Sequence, residues 1–243
     1  MILLALLLQF AAPAAQEARF DTCVDLATSN SDGGVADASA WKLSGGGFLA
    51  DQCLGIAHAS ARRFESAATA FERAARGAEV AKDRRAANYW AQAGNAWLAA
   101  GDAVKGRAAL DAALAGGALT GTALGEAHLD RARALVAANE PVKARADIDL
   151  ALASAPADPL AWLLSATLAR RSGDLPRAQK DIAEALSRAA DDASVQLESG
   201  NIAALAGDEA GARGGWLKAV QIAPATPVGR AAKAALAQFD AGK

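Results

Sequence analysis

Small and apolar residues recur along this chain at intervals that suit helices. Gly55, Gly94, Ala132, Ala166 and Gly200 follow one another in steps of 39, 38, 34 and 34. Twelve residues after each come Ala67, Gly106, Ala144, Ala178 and Ala212. Four positions later stand Phe71, Leu110, Ile148, Ile182 and Trp216, and three beyond those Ala74, Ala113, Ala151, Ala185 and Ala219. Offsets of three and four keep side chains on one face of a helix. The wider gap of twelve leaves room for a turn between two helices of about 13 residues each. A period near 34 is the mark of helix-turn-helix units that stack into a solenoid, each burying its apolar face on its neighbours.

The turns are also legible. Gly101-Asp102, Gly173-Asp174 and Gly207-Asp208 each offer a glycine to end one helix in the left-handed conformation and an aspartate to cap the next. In the third unit Asn139 takes the glycine's place, and Pro141 falls in the first helical turn. The first unit has Arg62-Arg63 there, and its turn is the least defined. Pro156 and Pro224 stop the second helices of two units. Leu54, Trp97, Leu135 and Leu168 supply bulk from the first helices, and the large apolar residue after each repeated alanine is expected to fill the gap between units.

On these residues the chain resembles the tetratricopeptide-repeat (TPR) family, with units at 48–81, 87–120, 125–158, 159–192 and 193–226. The family's early aromatic is matched by Trp90 and Trp162, and its later one by Trp97 alone. The resemblance implies an all-α, right-handed α-solenoid of about five helix-turn-helix units over 48–226. A degenerate helix pair is expected at 16–47, with Cys23, Leu26 and Trp41 inward, and a C-terminal capping helix at 227–243. Longer inter-repeat connections are expected at 76–86 and 115–125, the second a flexible loop marked by Gly116, Gly117, Gly121 and Gly125.

Composition narrows the function. A net charge of −2 gives no basic field for nucleic acid. The apolar run Ile2 to Leu8 is far shorter than the roughly 20 residues that span a bilayer. Followed by Ala12-Pro13-Ala14, it reads as a signal peptide over 1–15, cut after Ala14 or Ala15, although no Lys or Arg precedes it. A periplasmic or secreted protein with no membrane span in its mature chain is expected. The two cysteines, Cys23 and Cys53, then favour a disulfide, two buried thiols being the alternative.

No catalytic, cofactor or metal constellation stands out. Ser44-Gly45-Gly46-Gly47 lacks the Lys-Ser/Thr of a phosphate loop. His58 fills a slot that is usually aromatic, and His128, near Glu126 and Asp130, reads as part of a solvated charged face. What remains is the concave face that the resemblance implies, lined by the first helices, where Asn88, Asn95, Arg133, Thr167, Arg170 and Asn201 form the candidate partner-binding groove. Asparagines can bond a peptide backbone, and Arg133 and Arg170 can pair with a carboxylate. Gln52, Ile56, Glu126 and Asp130 occupy the places of the family's chaperone-type carboxylate clamp, and two are acidic, which argues against that partner. The expected function is a non-catalytic, monomeric scaffold of the bacterial cell envelope that binds another protein or peptide. A non-catalytic subunit or adaptor of an envelope polymer synthesis or export machinery is the alternative.

Overall fold

A computed structural model describes residues 13–241, and the apolar run of the expected signal peptide lies outside them. Thirteen α-helices, and no strand, occur among the described residues. They divide into two compact units, one ending at Leu119 and one beginning at Thr120.

The first unit holds α1 (Pro13–Ser29), α2 (Ser31–Leu43), α3 (Gly47–Ser60), α4 (Phe64–Val80), α5 (Ala86–Ala99) and α6 (Ala103–Ala115). The second holds α7 (Gly121–Ala137), α8 (Pro141–Ser154), α9 (Pro159–Arg171), α10 (Leu175–Arg188), α11 (Ala193–Leu205), α12 (Glu209–Ile222) and α13 (Pro227–Ala241). In each unit successive helices pack on one another, as a stack of helix-turn-helix hairpins requires.

One turn geometry recurs within the hairpins. Gly101 has φ +87°, and the Asp102 N–H donates to the Trp97 carbonyl at 2.9 Å, closing α5. The Asp102 carboxylate then accepts from the Lys105 N–H at 2.9 Å and caps α6. Asp174 and Asp208 cap α10 and α12 in the same way. The turn at Arg62 has this geometry too. Arg62 sits at φ +58° and the Arg63 N–H reaches the His58 carbonyl at 2.8 Å, without a glycine to relieve the strain. Asn139, at φ +57°, plays the same part before α8.

Packing explains the repeated small positions. A Cβ on Gly55 would stand 2.5 Å from the Phe71 ring, and one on Gly200 2.6 Å from the Trp216 ring. The large residue thus lies across the small one of its own hairpin. Phe71 also joins Ala93, Ala96 and Trp97 of α5, so it fills the gap between hairpins as well.

The longer steps are only partly spent on connections. Helices α4 and α7 have 17 residues each, against 13 or 14 in the other hairpin helices. Gly121 and Gly125, expected in a flexible loop, therefore begin α7, where Gly125 is buried against the Ala155 methyl. Expectation failed here because glycine content alone does not reveal a close helix approach.

At the N-terminal end a Cys23–Cys53 disulfide ties α1 to α3, with both cysteines fully buried among Ala27, Ala38, Trp41, Leu49 and Leu54. Arg19 pairs with Asp37 at 2.8 Å between α1 and α2. At the other end α13 lays Ala232, Leu236 and Phe239 on Trp216, and leaves Arg230, Lys233 and Gln238 exposed.

Candidate binding surface

The candidate groove residues fall in both units. On α5 of the first unit, Asn88 and Asn95 stand seven residues apart, two helical turns, and both are exposed. The other four lie in the second unit and line two clefts. Arg133 and Thr167 border a cleft of about 210 Å³ between α7 and α9, with Ala132, Val136, Leu164, Leu168 and Arg171. Ile148 of α8, 2 % exposed, forms its floor. Arg170 and Asn201 border a wider cleft of about 510 Å³ with Ala204, Leu205, Trp216, Ala235, Gln238 and Phe239.

The electrostatics separate these residues. The Arg170 Nε donates to Glu198 Oε1 at 2.6 Å and its Nη2 to Oε2 at 3.2 Å, a two-pronged pair with a carboxylate that is 6 % exposed. Asn201 Nδ2 donates to the same carboxylate at 3.3 Å, while its Oδ1 accepts from Trp216 Nε1 at 3.0 Å. These two side chains hold α9, α11 and α12 together. Arg133 pairs with Asp130 one turn back, at 2.9 Å and on the surface. Thr167, on the cleft wall, donates its Oγ1 hydroxyl to the Leu163 carbonyl at 2.9 Å.

The fold also assembles buried ion pairs that the repeat pattern did not suggest. Asp147 of α8, 3 % exposed, accepts from both Nε and Nη2 of Arg131, at 2.7 and 2.6 Å. His128 Nδ1 lies 3.1 Å from the same carboxylate. His128 is therefore buried against an acid rather than part of a solvated face; its partners come from α8, out of sight of its sequence neighbours. Asp181, in the matching position of α10, accepts from the Ser165 hydroxyl and from Arg177. Arg145 of α8 in turn donates to Ser165 Oγ at 2.6 Å and to its carbonyl at 2.8 Å. A signal existed. Asp147 and Asp181 stand 34 residues apart, each just before a core isoleucine and three residues after a repeated alanine.

In the first unit Asp51, 7 % exposed, is paired with Lys42 and, at 2.8 Å, with Arg73. Burial, with Arg63 and Arg73 close by, pushes His58 below the usual imidazole range, so it is neutral at pH 7. Trp97 Nε1 donates to Glu72 at 2.8 Å beneath the Lys105 ammonium, 4.2 Å from its ring. No group of three or more His, Cys, Asp or Glu side chains is placed to hold a metal among the described residues. Nor is any of their helices long and apolar enough to cross a membrane.

No family profile matches the chain, and no curated protein matches it. Solved structures do. YrrB, described as a TPR protein with an unusual peptide-binding site, aligns with a TM-score of 0.57 and 19% identity, over 80% of this chain and 96% of its own. The fold is that of a TPR protein. PilF of Pseudomonas aeruginosa aligns with this chain at a TM-score of 0.73 and 14% identity, over 94% of this chain and 100% of that one. PilW, described as a widely conserved type IV pilus biogenesis factor, gives 0.72 and 18%, over 89% and 97%. At such identities the likeness is one of fold. Matching the expected units by position, the helix hairpins are α3–α4, α5–α6, α7–α8, α9–α10 and α11–α12, and α7, α9 and α11 carry the two clefts.

Proposed function

We propose that the chain is an exported, non-catalytic scaffold of the bacterial cell envelope that binds another protein or peptide on the first-helix face of its repeats. The observation that carries this reading is the pair of clefts on α7, α9 and α11, which gather Arg133, Thr167, Arg170 and Asn201 around apolar walls. Recognition surfaces combine such walls with a few placed polar groups. The buried charged groups engage one another in ion pairs, which favours a structural role for them over a catalytic one. The disulfide supports an oxidising compartment, in keeping with a signal peptide over 1–15. Likeness in fold to a type IV pilus biogenesis factor and to a protein with a peptide-binding site supports assembly work through a bound peptide. A mature chain that begins at Ala15 or Gln16 would keep Glu17, whose carboxylate pairs with Arg85 at 2.8 Å.

Two measurements test the reading. N-terminal sequencing of the protein from a bacterial periplasmic fraction should find cleavage after Ala14 or Ala15. A photo-crosslinking residue at Arg133, half-exposed on the cleft rim, should trap a partner, while one at Leu150, on the second helix α8 and 49% exposed, should not. Crosslinks from Leu150 alone would refute the first-helix assignment.

A further inference from the structure

We infer that the cleft between α7 and α9 takes one large apolar side chain of an internal acidic peptide segment, with a carboxylate beside that side chain paired to Arg171. The inference rests on the reading of this face as the binding surface, and specifies its ligand. Size comes first. An apolar cavity of about 150 Å³ admits benzene, so 210 Å³ accommodates the side chain of a leucine or phenylalanine. The walls match that choice: Ala132, Val136, Leu164 and Leu168 offer only hydrocarbon, over the floor of Ile148.

Charge sets the rest. Two guanidiniums, Arg133 and Arg171, stand on the cleft, and Asp130 is paired with Arg133. Arg171 is exposed on the last turn of α9, and has no ion-pair partner among the described residues. Successive residues of a helix point about 100° apart. That rotation sends Arg170 to the neighbouring cleft, where Glu198 closes on it, and sends Arg171 to this one. The sequence pattern pointed to Arg133 with Arg170; the structure moves the carboxylate-reading role one residue along. The surplus of positive charge favours an acidic neighbour on the ligand and opposes a basic one.

The probe is an array of short peptides blocked at both ends, with randomised flanks around a central pair. Leu, Phe or Ala is followed in that pair by Asp, Asn or Lys, and the array is read by retention of the labelled full chain. Leu-Asp and Phe-Asp peptides should be retained on the order of 10-fold better than their Asn forms, a gain expected of one charge-assisted pair, and better still than Lys forms. Arg171→Gln should erase the preference for Asp over Asn, and Thr167→Trp, which fills the cleft, should abolish retention. Lys180→Gln, an exposed charge on the second helix α10 and outside the cleft, should leave the Asp preference in place. Equal retention of the Asp, Asn and Lys forms would overturn the inference. So would a preference that survives Arg171→Gln, or retention of Leu-Asp that survives Thr167→Trp. If a matched array with free C-termini is retained and the blocked array is not, the carboxylate is a terminal one and the inference also falls. No retention while the Arg133 crosslink still forms in cells would overturn the ligand chemistry and leave the scaffold reading standing. Loss of both would remove the two together.

Discussion

Replacing Gly200 by alanine puts two familiar effects in opposition, and the geometry decides between them. Gly200 lies inside α11, where alanine should gain about 0.5–1 kcal/mol from backbone entropy. The new Cβ would meet Trp216 Cδ1 at 2.6 Å, its Nε1 at 2.7 Å and the Ala212 carbonyl oxygen at 3.0 Å. The indole cannot retreat freely. Asn201 holds its Nε1 at 3.0 Å, and the Phe239 ring meets it edge-on with centroids 5.5 Å apart. Overpacking of this kind costs about 1–3 kcal/mol, so Gly200→Ala should destabilise by about 1 kcal/mol net. The matching positions Ala132 and Ala166 already carry the methyl, and face Ile148 and Ile182. In a Trp216→Ile background the same change should therefore be neutral or stabilising. The double-mutant cycle should show a favourable coupling of about 1–2 kcal/mol. Urea unfolding followed by far-ultraviolet circular dichroism measures all four corners, since helix content is read without the tryptophan. If Gly200→Ala stabilises equally in both backgrounds, the small position is a matter of propensity and the packing argument is wrong.

Other expectations follow from single sites. Tyr89 is the chain's one tyrosine, and burial pushes it up to about 12 from the ordinary 10. The folded state therefore holds the phenolic proton more tightly, and its stabilising effect is complete below pH 10 and lost as pH rises toward 12. Tyrosinate absorbance should titrate late, and Tyr89→Phe, which deletes a buried hydroxyl with no hydrogen-bond partner among the described residues, should leave stability unchanged or raised by up to about 1 kcal/mol. Reducing the disulfide, or replacing both cysteines by serine, should cost roughly 3–4 kcal/mol for a separation of 30 residues, read as a drop in the urea midpoint; an unchanged midpoint would show that α1 is held by packing alone. Arg62→Gly should stabilise by about 1 kcal/mol by relieving a left-handed backbone, and a loss in thermal melts would count against that strain. Asp147→Ala removes the buried carboxylate shared by Arg131 and His128 and should cost about 3–5 kcal/mol in denaturant melts; a loss below 1 kcal/mol would mean that this pair adds little to stability.

Much of the fold was legible because a helical hairpin is a local object. The periodic alanines, the Gly-Asp turns and the prolines after α8 and α12 act within one or two turns of where they stand. What escaped depends on partners far along the chain. Arg170 and Arg171 look interchangeable until Glu198, 28 residues past Arg170, closes on the first of them. His128 looks solvated until Asp147 arrives beneath it from α8. The extra residues before α5 and in front of α7 read as loop because glycine and charge are ambiguous signals. Helix extension won there through the burial of Ala78 and Gly125.

The ion pairs of the second unit have a consequence for copy number. Arg145 of α8 depends on Ser165 of α9, Arg177 of α10 reaches back to Asp149 of α8, and Arg170 of α9 reaches forward to Glu198 of α11. Excising the 34 residues of α9 and α10 would keep every helix in phase, yet it would take Ser165 from Arg145, Arg177 from Asp149 and Arg170 from Glu198 at once. By period the hairpins are identical beads, but by charge they are keyed to their neighbours. Their order along the chain is written in side chains that the repeat itself does not require.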